Sequence, residues 1–319
     1  MMEDVTYKLS ILLVTYNHEK YIRQALDALF KQVIDGPVQL VIADDGSSDG
    51  TLNIIREFEG SDPRFTFKYL MNDGNLGITK NYQRGFSECS GEYVAVLEGD
   101  DYWCSPKKLS SQLGFLDQHW ECSLCSVNYL VYEEDRSQFT PRVPVGTSYR
   151  IIGARDLIAD NLVGNFSTCM YRKSALDELP PGLFEIRSYD WIVNICISRT
   201  SLIGFLEEPM SVYRLHSNGV WTQTSHINKL KIQLDVIPAY NQLTNNVFHL
   251  EFEVLASRLR HVIASSQVES AVDAVVQPVV KALPRFIDYI PNFMMRFLRA
   301  VMPDRFKRAL LKALYREGV

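Results

Sequence analysis

Through the first hundred residues, short apolar runs alternate with segments whose apolar residues recur at helical spacing. Lys8–Thr15 (KLSILLVT), Val38–Ala43 (VQLVIA), Arg64–Met71 and Tyr93–Leu97 have the length of strands. The last is continuously apolar, as a strand buried on both faces should be. Between them lie His18–Gln32, with Tyr21, Ile22, Ala25 and Leu29 at helical spacing, then Thr51–Phe58, with Asp49 nearby as its cap, and Ile78–Glu88. Alternation of this kind predicts an α/β fold: a mostly parallel sheet with right-handed crossovers, flanked by helices. In such sheets ligands sit outside the carboxyl ends of the strands.

Those ends hold the unusual residues. Strand one ends in Thr15-Tyr16-Asn17, strand two in Asp44-Asp45-Gly-Ser-Ser-Asp-Gly, and strand four in Glu98-Gly99-Asp100-Asp101. Three carboxylates within four residues repel one another, so something must offset them. Asp100 and Asp101 can do so by binding a divalent cation; hard oxygen ligands suit Mg²⁺ or Mn²⁺, which commonly also hold a diphosphate. The plain alternative is a solvated acidic turn. The 44–50 segment is a good turn and helix start, and equally a set of acceptors for a nucleobase or ribose. Tyr16 can stack on a base or simply edge the core.

After Asp101 the pattern changes. Lys107–His119 reads as a helix opened by Pro106, Cys122–Tyr132 as a strand, and 133–148 as a polar loop. Ala154–Asp160 and Ser188–Ser198 look helical, and Ser167–Tyr171 extended. From about residue 226 the chain reads helical over Ile227–Tyr240, Val247–Ser265 and Ser270–Leu283. The expected division is therefore an α/β domain over 1–225 and a helical region over 226–319.

The segment 285–319 carries eight Arg or Lys against three acids, with Phe293, Phe297 and Val301, then Phe306, Leu310 and Leu314, four apart. A basic amphipathic helix of this kind suits an anionic membrane surface. It suits a docking or dimer contact equally well. Composition narrows the class further. The 319 residues are 46% hydrophobic and 22% charged with a net charge of −5, enough for a packed core and too acidic for a dedicated nucleic-acid binder. No run reaches the ~18 apolar residues of a membrane span, and no signal-peptide layout opens the chain, so the expected compartment is the cytoplasm, at the inner face of the membrane if the tail binds there. Of six cysteines, Cys122 and Cys125 form a CxxC with no second ligand pair, which predicts reduced structural thiols rather than a zinc site.

Four segments in order, SILLVTYNHEKYIRQALDALFKQ, LVIADDGSSDGT, NDGNLGITKNYQRGF and GEYVAVLEGDDYW, resemble family 2 glycosyltransferases of the GT-A fold. The resemblance covers about residues 8–120 and extends through RSYDW and VYRLHSNGVW to about 221. It implies inverting, metal-dependent transfer from a nucleotide-diphospho-sugar, UDP-sugar foremost, to a glycan or lipid-linked acceptor in surface polysaccharide or glycoconjugate synthesis. By this resemblance Val14 and Tyr16 line the base pocket, and Asp45 faces the uracil with Asp44 beside it. Asn75 and Lys80 belong to the donor site. Asp100 faces ribose or metal, and Asp101 is the principal metal ligand, with His216 completing the metal site and Arg214 forking onto phosphate. Asp190, in Tyr189-Asp190-Trp191, is the general base; otherwise it merely caps a helix. Glu98 has no assigned role. The rival expectation is a catalytically silent nucleotide-sugar-binding or scaffold protein on the same fold. A nucleotidyltransferase is disfavoured because VTYNHEKY is not a basic, Gly-rich loop. The identity of the sugar and the oligomeric state stay open.

Overall fold

The computed structural model describes residues 6–72, 74–186, 189–217, 219 and 224–282. The basic tail expected over 285–319 lies outside them. The chain separates into two compact units, Met1–Ala256 and Ser257–Val319, so the expected boundary at 225/226 falls inside the first. Among the described residues no helix is long and apolar enough to cross a membrane.

The elements follow in the order β1 (Leu9–Thr15), α1 (Ile22–Phe30), β2 (Val38–Asp44), α2 (Thr51–Glu57), β3 (Phe65–Tyr69), α3 (Ile78–Glu88), β4 (Tyr93–Glu98), β5 (Tyr102–Trp103), α4 (Lys108–Gln118) and β6 (Cys122–Glu133). Then come β7 (Gln138–Pro141), β8 (Tyr149–Ile152), α5 (Ala154–Ala159), β9 (Cys169–Arg172), α6 (Lys173–Asp177), α7 (Asp190–Ile197), β10 (Leu202–Leu215), α8 (His226–Leu243) and α9 (His249–Ala282).

One sheet runs β3-β2-β1-β4-β9-β6-β10-β5, with β7 added to β6 and β8 to β10. Its first half is parallel: β1 pairs β2 and β4, and β2 pairs β3, in unbroken register. Every residue of β1 and β2 is buried, which is why these strands read as continuous apolar runs. Helix α1 buries Ile22, Ala25, Leu26 and Leu29, one stripe at 3.6-residue spacing, into the core that Leu9, Ile11 and Leu13 also enter. Each such buried Leu or Ile contributes about 1.5–3 kcal/mol of apolar transfer.

The second half is mixed. β9 sits antiparallel between β4 and β6, while β10 runs parallel to β6 and antiparallel to β5 and β8. The loop expected at 133–148 is partly ordered as β7, a hairpin partner of β6 entered through Ser137 at φ 50°. The pairing of β10 with β6 slips on both sides of Pro209, next to Glu207 and Glu208, so no simple alternation marks this strand. A proline has no N–H for the ladder, and the bulge absorbs it. All six cysteines are free, with Cys122 and Cys125 buried in β6.

Candidate functional site

The loops after β1 and β2 are stitched together. Asn17, at φ 55°, accepts from the Ser48 N–H at 2.8 Å and donates its own N–H to Ser47 Oγ at 2.8 Å. The His18 N–H donates to Thr51 Oγ1 at 2.8 Å. The Asp44 carboxylate accepts from the Gly46 and Ser47 N–H groups at 3.1 and 2.9 Å, a turn made easy by Gly46 at φ +80°. Its neighbour Asp45 reaches the next loop, accepting from the Leu76 N–H at 2.8 Å and the Gly77 N–H at 3.0 Å.

The acidic end of β4 is handled residue by residue. Glu98 accepts from the Tyr82 hydroxyl at 2.8 Å. Burial, then the charge of Asp100, pushes its carboxyl up to about 8. Asp101 is 1% exposed and accepts from Ser167 Oγ at 2.7 Å and the Arg214 N–H at 3.0 Å. Burial, then the charges of Asp100 and Glu98, pushes its carboxyl well above its ordinary value. For Asp100, burial also acts upward, but the His18 and His216 imidazoles outweigh it and hold the group low. Burial and mutual repulsion thus push the Glu98 and Asp101 carboxyls up, while the two imidazoles hold Asp100 down.

Asp100 Oδ2 lies 3.1 Å from His216 Nε2 and 3.6 Å from His18 Nε2. The Nδ1 atoms of both rings are buried without a hydrogen-bond partner. Gly99 makes the close approach available: a Cβ there would stand 2.8 Å from His18 Nδ1 and 2.8 Å from Thr15 Oγ1. Arg214 locks the turn, donating from Nε to the Asp100 carbonyl at 2.9 Å and from Nη2 to Gln24 at 2.7 Å, with its guanidinium over Tyr21, Tyr102 and Tyr132.

A cavity of about 460 Å³ opens at these strand ends. Val14, Tyr16, Asp45, Asn75, Glu98, Asp100 and Arg214 line it, and so does Asp190 at the start of α7. Asp190 accepts from the Trp191 N–H at 2.7 Å. Burial raises its carboxyl to about 7, against the pull of that N–H and of Asn161.

Four of the expected residues are placed differently from the others in this geometry. Asp101 is not among the residues lining this cavity and accepts from Ser167 and the Arg214 N–H, while Asp100 is the carboxylate presented with an imidazole. Asp44 folds its own loop and is not among the residues lining this cavity. Lys80 pairs with Glu185 at 2.6 Å on the surface and is not among the residues lining the cavity. Arg214 lines the cavity but spends Nε and Nη2 on protein acceptors, so it positions the 100–101 turn. His216 borders a neighbouring hollow with Tyr16, His18 and Tyr21 and meets the main cavity through Asp100.

Sequence reasoning passed over His18, Tyr82, Asn165 and Ser167. His18 was legible in VTYNHEKY, immediately after a strand end. Asn165, 6% exposed on the cavity wall with both amide atoms unpaired, sits in LVGNFST, which has no readable pattern. Trp103 is 3% exposed and donates from Nε1 to the Ser167 carbonyl at 2.9 Å.

Residues 10–180 match the profile of Glycosyl transferase family 2. The chain belongs to this family. Among family relatives, the uncharacterized protein Rv1520 of Mycobacterium tuberculosis (strain ATCC 25618 / H37Rv) is 35% identical over 213 residues, 67% of this chain and 60% of its own length. The chain thus spans less than two thirds of that relative. The uncharacterized glycosyltransferase MJ1057 of Methanocaldococcus jannaschii is 24% identical over 228 residues, 70% of this chain and 75% of that one. The fold is shared with residues 1–349 of TarS from S. aureus, solved with UDP-GlcNAc, at TM-score 0.63 and 18% identity over 98% of this chain and 92% of that one. It is shared also with the mannosyltransferase PcManGT from Pyrobaculum calidifontis, solved with GDP-Man and Mn²⁺, at TM-score 0.53 and 14% identity over 99% and 89%. The family 2 match ends before α7, β10 and α8.

Proposed function

We propose that the protein is an inverting glycosyltransferase that moves a sugar from a nucleotide-diphospho-sugar, UDP-sugar foremost, to a glycan or lipid-linked acceptor. The observation that carries this reading is one cavity lined at once by Asp45 and Asp100, at the ends of β2 and β4, and by Asp190 on α7. Asp190 takes the proton of the acceptor hydroxyl as that oxygen attacks the anomeric carbon. The bond from that carbon to the diphosphate oxygen breaks, and the nucleoside diphosphate leaves with the bonding pair. A base whose carboxyl titrates near 7 is matched to that proton transfer. Inversion follows from a single displacement with no covalent intermediate, by the same logic as inverting glycosidases with the acceptor in place of water.

The donor set fits a divalent cation. Among the described residues no three acidic, imidazole or thiol groups form a ready-made cage. Asp100 with His216 would supply two protein ligands, and Mg²⁺ and Mn²⁺ commonly take the rest from phosphates and water. When bound, the cation would neutralise charge developing on the leaving diphosphate.

The decisive experiment is a donor panel with Mn²⁺, reading nucleoside diphosphate release for the native protein and for Asp190→Asn. Acceptor-dependent release lost in the variant supports transfer. Full release in Asp190→Asn removes Asp190 as the base, and no release from the native protein with any donor favours the catalytically silent alternative for this cavity. Cytoplasmic placement at the inner membrane face, where lipid-linked acceptors of surface polysaccharide are accessible, rests on the basic composition of 285–319. Deleting that segment should shift the protein from membrane pellet to supernatant, and an unchanged distribution refutes the contact, leaving a docking or homo-oligomer role.

A further inference from the structure

A second cleft, of about 260 Å³, adjoins the first, and Gly164, Tyr189 and Asp190 line both. Its other wall is one face of α8. Lys229, Ile232, Gln233, Val236 and Tyr240 stand at the i, i+3, i+4, i+7, i+11 positions of a single helical stripe, and all five line the cleft. A stripe that packed on a core would be apolar throughout. This one carries an ammonium and an amide. Neither the Lys229 nor the Gln233 side chain has a hydrogen-bond or ionic partner among the described residues, and Lys229 and Asp190 are the two charged residues of the lining. The floor is aromatic and rigid: Trp191 and Tyr240 meet edge-on with centroids 5.8 Å apart, and Trp191 Nε1 is tied to the Leu157 carbonyl at 2.7 Å. At this size, below the ~300–1,000 Å³ of drug-sized ligand sites, the cleft suits one sugar residue rather than a chain.

We propose that this cleft is the acceptor subsite, and that the acceptor bears a negative charge, a phosphate or a carboxylate, which Lys229 reads while the hydroxyl beside it meets Asp190. The inference rests on the transferase reading above and goes beyond it in naming the acceptor's chemistry. The geometry favours an anion over a neutral glycan. A neutral sugar would use the aromatic floor and Gln233, and would leave an ammonium facing into the cleft with nothing to pair. α8 lies outside the stretch matched by the family profile, so this selectivity belongs to the chain's own C-terminal elements.

The test uses the full chain loaded with UDP, so that the diphosphate site is filled and an added anion must find another place. Saturation-transfer NMR at low salt would give dissociation constants for three probes: methyl glucoside, its 6-phosphate and methyl glucuronide. At least one charged probe should bind about tenfold tighter than the neutral one, as expected for a charge-assisted hydrogen bond. Which of the two binds tighter distinguishes a phosphate from a carboxylate acceptor. The preference should collapse in Lys229→Ala and turn against the charged probes in Lys229→Glu. Val236→Trp, which fills the cleft without touching charge, should abolish binding of all three. Equal affinities in the native protein, a preference that survives Lys229→Ala, or binding that survives Val236→Trp would each overturn the inference. UDP titration of the native protein separates the two levels: if UDP binds and the probes do not discriminate, the anionic acceptor alone is wrong. If no nucleoside diphosphate in a panel that includes UDP and GDP binds, the transferase reading fails and takes this inference with it.

Discussion

Asp45 and Asp190 line the same cavity and are held in different ways. Asp45 accepts N–H bonds from Leu76 and Gly77, one on each oxygen, from a loop on a third segment. Asp190 accepts from its own neighbour's N–H and from Asn161, and burial still lifts it to about 7. The first carboxylate is fixed in place by the loop's N–H groups; the second stands near its proton's tipping point. The contrast extends to the elements behind them. Asp45 ends a strand buried throughout and paired in unbroken parallel register, whereas Asp190 opens a helix in the mixed half, beside a bulged strand. On the proposed function, the regular half holds the donor and the irregular half handles the acceptor.

The sharpest way to break this comparison is Asp190→Asn. Losing a general base should lower acceptor-dependent turnover by about 10²–10⁴-fold while UDP affinity is retained. In the native protein kcat/KM should rise with pH along an acidic limb centred near 7, and the residual activity of the variant should lack that limb. A ten-fold loss or less, with the limb intact, would place the base elsewhere.

Next in size is the pair Asp100 and Asp101. Asp100→Asn should weaken Mn²⁺ binding to the UDP-loaded protein by about 10–100-fold, read by the electron paramagnetic signal of free Mn²⁺. Asp101→Asn should leave Mn²⁺ binding nearly intact, since its oxygens face Ser167 and the Arg214 N–H. Asp101→Ala should instead cost about 1–3 kcal/mol of stability by stranding those two donors. Equal loss of Mn²⁺ in both Asn variants would restore Asp101 as a ligand.

These variants also measure how far the chain could be read in advance. The parallel half was legible because both-face burial turns β1, β2 and β4 into uninterrupted apolar runs ending in polar clusters. Asp45, Asp100 and Asp190 could be named from those clusters and from YDW. The division of labour between adjacent carboxylates could not. Whether Asp100 or Asp101 faces the cavity depends on Ser167, 66 residues after Asp101 in the chain, and on the backbone of Arg214, 113 residues after it. β10 was illegible for a local reason, its Glu-Glu-Pro bulge, and the α8 stripe because Lys229 and Gln233 look like any solvated helix face until a cleft is seen beside them.

A smaller effect on the donor side is expected from Gly99→Ala. The added methyl would press on His18 Nδ1 and Thr15 Oγ1, each 2.8 Å away, and on Ile22 Cδ1 at 3.0 Å. Overpacking of this kind costs about 1–3 kcal/mol. Chemical denaturation should show that loss, with weaker UDP binding because His18 is displaced from Asp100. An unchanged midpoint would mean that the two loops can spread, and that the His18–Asp100 approach is not enforced by the glycine.

The smallest effect separates the two carboxylates by stability alone. Asp190 has a folded-state carboxyl raised to about 7, well above its ordinary value of about 3.9. The folded state therefore binds this proton more tightly than the unfolded chain does. Its stabilising contribution is complete below about pH 4 and is lost as pH rises through 7. Asp190→Asn removes a group that destabilises the fold when ionised, so the variant should be more stable than the native protein at pH 8 and not at pH 4. The gain is on the order of 1–2 kcal/mol, after discounting solvent screening at a half-buried group. Asp45→Asn should run the other way, because an amide keeps one acceptor oxygen where the carboxylate offers two to the Leu76 and Gly77 N–H groups. Thermal melts of both variants at pH 4 and pH 8 check the pair. A stability gain at pH 8 from Asp190→Asn, together with its loss of turnover, would mean that the base is kept near its proton at the expense of the fold.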